Sequence, residues 1–327
     1  MFSAPLARAE TLVVAAPFTE FPALAAQMLD GATAALTGYW IIKPVEAGCI
    51  EASAATIGEL ILAEKPDVVI GLPCIESLVP ALKTLGPIGL PVITIASRAD
   101  APSKLALKNK WPLYRFGPRE RKDSEAIAEL IVSAWRDKPF AILDDGTIFA
   151  RDTAEAIRNA SETNSMKPLL VEGFQPQLES QKKLIGGLVS AGVTHVFIAS
   201  DRANIAQIAT EAAGLNLTVA GPETLRASDL DFPLPAGVLM AARDVSVHPN
   251  IIVKINSARK VPFALAEGYT LDAYVAAEVA IALKAIPSMR GFKTAFGEVT
   301  IAEDGFIEPV NYALFRFNGT TFEKAAP

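Results

Sequence analysis

The sequence predicts an α/β protein of two Rossmann-like lobes joined by a multi-strand hinge. Three observations predict it. Short apolar runs bounded by turn residues alternate with amphipathic stretches of helical length, the mark of βα units and a parallel sheet. The alternation breaks near Lys108 and restarts at Asp123. The C-terminal part then returns as alternating strands and one long apolar helix, so that both lobes are discontinuous in the chain.

The first strand is read at Thr11 to Pro17. Thr19 follows as a helix cap, with Phe21, Leu24, Ala25, Met28, Leu29 and Ala32 at i, i+3, i+4, i+7 spacing. A second strand covers Trp40 to Val45. A helix starts at Ser53, with Ile57, Leu60, Ile61 and Ala63 along one side. Asp67 to Leu72 is the third strand, Leu78 to Leu85 a helix and Pro91 to Ala96 the fourth strand. Lys108 to Pro118, rich in aromatics and prolines, reads as a strand crossing to the second lobe.

The second series runs helix to Trp135, strand Phe140 to Leu143, helix Ile148 to Asn159, strand Pro168 to Phe174 and helix Leu178 to Ala191. Strand His195 to Ala199, helix Ala203 to Ala213 and strand Leu217 to Ala220 complete it. Val238 to Arg243 reads as a second crossover and Tyr269 to Ile286 as a helix, capped by Thr270 or Asp272. Phe296 to Tyr312 reads as a hairpin turning at Glu303-Asp304-Gly305, followed by a last strand to Phe317. Lobe one is therefore expected at 10–116 and 245–297, and lobe two at 117–244 and 298–327.

The 327 residues suffice for two domains, and 51% hydrophobic content allows large cores. A net charge of −6 argues against a nucleic-acid surface. The densest basic stretch, Arg115 to Lys122, is interrupted by Phe116, Gly117, Pro118 and Glu120 and reads as a solvated connector. No apolar run reaches the ~20 residues of a membrane helix. Ala7-Arg8-Ala9 has the form of a signal-peptidase site without a positive n-region or a full apolar core, so residues 1–9 read as a signal remnant or an alanine-rich tail.

The segment Gly71-Leu72-Pro73-Cys74-Ile75-Glu76-Ser77 ends a buried strand in a tight turn and starts a helix. Ligands of parallel α/β sheets sit outside the carboxyl ends of strands. Helix-start N–H groups there suit a carboxylate. The chain's two cysteines, Cys49 and Cys74, permit one bridge or two buried thiols. No C-x-x-C is present, so no metal site is expected. The two histidines, His195 and His248, stand apart, and His195 borders a buried strand as a structural residue. No nucleophile elbow, Walker loop, G-x-G-x-x-G or H-E-x-x-H occurs, and Asp144-Asp145-Gly146 reads as a strand end and loop start. Neither an enzyme nor a cofactor is expected.

Together, Ala15-Ala16-Pro17-Phe18-Thr19, the Gly71 to Cys74 turn, Phe140-Ala141-Ile142-Leu143-Asp144-Asp145, Gly221-Pro222-Glu223 and Gly305 before the last strand resemble the type I periplasmic binding proteins. Within these the chain is most similar to the Leu/Ile/Val-binding group that serves ABC importers. The resemblance implies a disulfide between Cys49 and Cys74. It implies a ligand carboxylate held by Ile75, Glu76 and Ser77 and by Ala96, Ser97 and Arg98 of lobe one. It implies contacts from Phe149, Asp201 and Arg202 of lobe two, and an ammonium held by Glu223. Phe149 and Ala150 replace the family's usual tyrosine and glycine, while Ile75, Glu76 and Arg98 change the hydroxyl and charge pattern, which points to a more polar or multiply charged ligand.

The resemblance further implies an exported, periplasmic monomer that closes on an amino acid or related small carboxylate and delivers it to an ABC permease. The alternative is a sensor of the same fold acting on a regulator or receptor.

Overall fold

The computed structural model describes residues 9–50, 56–97, 99–117, 119, 121–226, 233–258, 268–308 and 311–325. The chain divides into two compact units, one of Met1–Arg119, Val245–Phe263 and Tyr269–Pro309, the other of Glu120–Asp244, Ala264–Gly268 and Val310–Pro327.

In the first unit the chain builds β1 (Glu10–Ala16), α1 (Pro22–Ala35), β2 (Trp40–Glu46), α2 (Ile57–Ala63), β3 (Val68–Gly71), α3 (Ile75–Leu85), β4 (Val92–Ile95), α4 (Ala101–Asn109) and β5 (Leu113–Phe116). The five strands form a parallel sheet in the order β2-β1-β3-β4-β5. Strand β1 is apolar almost throughout because both its faces are covered. Leu12, Val14 and Ala16 enter one core, with α1. Val13 and Ala15 enter the other, with α2 and α3.

The second unit continues with α5 (Lys122–Ala134), β6 (Phe140–Asp144), α6 (Ile148–Thr163), β7 (Leu170–Gly173), α7 (Lys182–Ser190), β8 (His195–Ala199), α8 (Arg202–Glu211), β9 (Thr218–Gly221) and β10 (Leu239–Arg243). These strands run parallel in the order β7-β6-β8-β9-β10. Each unit thus repeats one strand order, second-first-third-fourth-fifth. The same two-sided burial recurs: Val196 and Ile198 of β8 face the core with α7 and α8, while Phe197 and Ala199 face the core with α5 and α6.

The chain then returns to the first unit with α9 (Pro249–Ala258), α10 (Thr270–Ala285), β11 (Gly291–Thr294), β12 (Gly297–Ile301) and β13 (Ile307–Glu308). Helix α10 packs so tightly on α1 that a Cβ at Gly31 would stand 1.9 Å from the Thr270 carbonyl oxygen. Strands β14 (Tyr312–Phe317) and β15 (Phe322–Lys324) finish the second unit, antiparallel, beside β10. Among the described residues no helix is long and apolar enough to cross a membrane.

Several elements differ from the sequence reading. Leu113 to Phe116 is β5, paired in parallel register with β4, and the chain passes to the second unit just after it. Val238 to Arg243 likewise contributes β10 to the second sheet. Residues 298–308 pack with the first unit, because β12 pairs with both β11 and β13. Helices α4 and α9 and strand β15 are additions to the sequence reading. Helix α1 begins at Pro22 rather than after Thr19, since a proline supplies its first turn. Tyr269 occupies the cap position of α10, and neither Thr270 nor Asp272 caps it; both are buried within it. The start of the helix read at Ser53 lies outside the described residues.

Candidate functional site

In a sheet of this order the crevice for a ligand opens at the carboxyl ends of the first and third strands, where the winding reverses. In the first unit these are the ends of β1 and β3. Thr19 does not cap α1. Its backbone N–H and hydroxyl both donate to Glu46 Oε2 at 2.9 Å, tying the loop after β1 to the end of β2.

Gly71 closes β3 at φ +107°, and a Cβ there would lie 2.2 Å from the Ala15 carbonyl oxygen. Only glycine accepts both the angle and the approach. Leu72 donates its N–H to that same oxygen at 2.7 Å and accepts Thr94 Oγ1 at 2.8 Å. Cys74 then stands at the cap position of α3 in extended conformation with no side-chain cap, so the first-turn N–H groups of Ile75, Glu76 and Ser77 have none. Ser77 is fully buried and donates its hydroxyl to the Cys74 carbonyl at 3.2 Å. Glu76 is exposed and Ile75 half-buried. The Cys49–Cys74 disulfide, with Cα atoms 5.2 Å apart, anchors this turn.

Beside it, at the end of β4, Ala96 adopts φ +70° and Ser97 is buried. Arg115 holds this loop from below. It is 1% exposed, donates through Nη2 to the Ser97 carbonyl at 2.5 Å and through Nη1 to Ser103 Oγ at 3.1 Å. Its guanidinium also lies 4.4 Å from the Phe306 ring centre, while that of Arg119 lies 4.0 Å from it. Arg119 grips Asp304 and Glu308, and its hydrogen bond holds the Asp304 carboxyl below the usual carboxylate range. The stretch read as a solvated connector is therefore partly a buried support. The signal for it was the apolar company of Arg115 in Leu113-Tyr114-Arg115-Phe116, a short strand-like run. Arg98 lies outside the described residues.

In the second unit, Asp144 and Asp145 end β6 in turns of their own, Asp144 Oδ1 accepting Gly146 N–H at 2.9 Å and Asp145 Oδ1 accepting Thr147 N–H at 3.0 Å. Thr147 caps α6 by accepting Ala150 N–H, which leaves Phe149 half-buried in its first turn. At the end of β8, Ser200 donates to Asp145 Oδ2 at 2.8 Å, and Asp201 caps α8 by accepting Asn204 N–H at 2.9 Å. Arg202 donates to the Leu225 carbonyl at 2.6 Å.

At the end of β9, Glu223 begins a single 3-10 turn, Glu223–Arg226. Its carboxylate accepts Arg243 Nε at 2.9 Å on Oε2 and Arg243 Nη2 at 2.8 Å on Oε1, and Arg226 Nε lies 3.7 Å from Oε1. Sequence reasoning named Glu223 but not Arg243, which lies 20 residues later on the neighbouring strand. Nearby, Tyr312 donates to Asp123 Oδ1 at 2.9 Å. Burial, then the Asp123 charge, pushes the Tyr312 phenol far above its ordinary value.

The structure thus brings Ile75, Glu76 and Ser77 beside Ala96 and Ser97 at one sheet edge. It brings Phe149, Asp201, Arg202 and Glu223 to the corresponding edge of the other sheet. His195 accompanies neither group: it starts β8, edge-on to Trp135 at 5.3 Å, with burial lowering its pKa. Among the described residues no group of three or more His, Cys, Asp and Glu could hold a metal ion.

No family model matches the chain. A Leu/Ile/Val-binding protein homolog of Brucella melitensis is 22% identical over 272 residues, covering 76% of this chain and 72% of that protein. An ABC transporter substrate-binding protein of Desulfitobacterium hafniense, solved in complex with Leu, superposes with a TM-score of 0.73 at 14% identity, covering 97% of this chain and 99% of that one. A solute-binding protein of an R. palustris ABC transporter, solved with benzoate, gives 0.72 at 14% identity over 97% and 95% of the two chains. This chain has the fold of the type I periplasmic binding proteins, and its sequence is similar to their Leu/Ile/Val-binding group.

Proposed function

We propose that this chain is the solute-binding component of an ABC importer, an exported binder without turnover that takes an amino acid or related small carboxylate. The observation that carries the reading is the doubled strand order, one parallel series of this order in each unit. In the first unit the α3 start offers N–H groups and a favourable dipole to a carboxylate, with Ser97 and Arg98 completing that end. In the second unit Phe149 packs on the ligand, and Asp201 and Arg202 provide its polar contacts. Relatives of this fold solved with Leu and with benzoate support a small carboxylate. The Cys49–Cys74 bridge suits an oxidising compartment outside the cytoplasm.

A thermal-shift screen of ligand-stripped protein against amino acids, keto acids and aromatic acids tests the reading. A true ligand at 100 times its Kd adds about 2.7 kcal/mol of stability. A cleanly folded protein that no small carboxylate stabilises would refute it.

A further inference from the structure

This inference rests on the small-carboxylate reading above and narrows it. The resemblance assigns Glu223 to a ligand ammonium, yet in this molecule the carboxylate is already engaged on both oxygens. Arg243 meets Oε2 through Nε at 2.9 Å and Oε1 through Nη2 at 2.8 Å. The two side chains are 7% and 11% exposed, so the pair sits in a setting that water screens weakly. Arg226 adds a second guanidinium, 3.7 Å from Oε1.

Arg226 is not free to swing aside. It donates to the Arg243 carbonyl, and its guanidinium lies 5.2 Å from the Phe315 ring centre. Another acid, Asp123, is buried and accepts the Tyr312 hydroxyl at 2.9 Å. An ammonium brought to Glu223 would sit within a few ångströms of two guanidinium cations. Alternatively it would have to displace Arg243 and leave a buried guanidinium without its carboxylate. Both routes are unfavourable.

We propose that Arg243, by holding Glu223, turns this end of the second unit into a filter against amines. The solute is then a carboxylic acid without an α-ammonium, a keto, hydroxy or aromatic acid, rather than an α-amino acid. Arg243 acts as a specificity-determining residue.

The test is calorimetric titration of the full, ligand-stripped chain with matched pairs: L-leucine against its α-keto acid, L-phenylalanine against its α-keto acid, and benzoate. Wild type is compared with Glu223→Gln and Arg243→Gln. The expected result is that an amine-free acid binds at least roughly tenfold tighter than its amino partner, the order a like-charge approach imposes. Glu223→Gln should leave that acid's affinity within roughly threefold, because no ligand cation depends on the carboxylate. Preference for an amino acid in wild type, lost in Glu223→Gln, would overturn the filter while sparing the small-carboxylate reading. Failure of every acid and amino acid to bind wild type would overturn both. Should Arg243→Gln fail to fold, the wild-type pairs and Glu223→Gln still decide.

Discussion

Tyr312 on β14 donates its hydroxyl to Asp123 Oδ1 on α5 at 2.9 Å, joining the last segment of the chain to the first helix of the second unit. Both groups are largely withdrawn from water, so the bond replaces hydration that neither could recover. Tyr312→Phe removes the donor and keeps the ring. It should cost about 1–2 kcal/mol. A fall of roughly 2–4 °C in the midpoint of a melting curve would check this.

The same pair predicts an alkaline dependence. Burial and Asp123 raise the folded-state pKa of Tyr312, so above the unfolded value of about 10 the native state binds more protons than the unfolded one. Its contribution is fully present below pH ~10 and is lost as the pH climbs from there toward the raised folded value. Wild type should therefore lose stability more steeply than Tyr312→Phe above pH ~10, measured by urea denaturation at a series of pH values. Parallel curves would refute the assignment.

Arg243→Met should be severe. It leaves the Glu223 carboxylate, 11% exposed, without its two-pronged partner. Removing one member of such a pair costs about 3–5 kcal/mol. Arg243→Met with Glu223→Gln should recover part of that loss, because no uncompensated carboxylate remains. Chemical denaturation of the single and double variants provides the comparison.

Gly71→Ala tests the turn at the end of β3. The new methyl would need a left-handed backbone at φ +107° and would lie 2.2 Å from the Ala15 carbonyl oxygen. Both penalties fall on backbone, which cannot step aside as a flexible side chain can. A loss of about 3 kcal/mol or more, or failure to fold, is expected. An alanine variant as stable as wild type would show that β1 and β3 are not in this register.

Replacing Cys49 and Cys74 together by serine opens a covalent loop of 25 residues' separation. The chain-entropy model puts the cost at about 3 kcal/mol. Treating wild type with reductant should shift its denaturation midpoint by the same amount, and the serine variant should not respond. A wild-type protein indifferent to reductant would contradict the bridge.

What the sequence by itself determined is the βα alternation, the division into two lobes and the segments that end the strands. Leu12 to Ala16 and Val196 to Ala199 are apolar on both faces because helices cover both sides of their sheets. That pattern is local and survives in the linear order of residues. The turn from Gly71 to Ser77 was legible for the same reason: a buried strand, a glycine and a helix start lie within seven positions. Tertiary structure decided the partners. Thr19 met Glu46 instead of capping its helix, 27 residues away. Arg115 looked like part of a solvated basic run until β5 took its place beside β4 and turned that side chain inward. Glu223 looked like a carboxylate open to a ligand until β9 and β10 paired and brought Arg243 onto it. Periodicity encodes which face of an element is buried, but a charge's role depends on what stands opposite it. That is set by strand register between segments far apart in the chain.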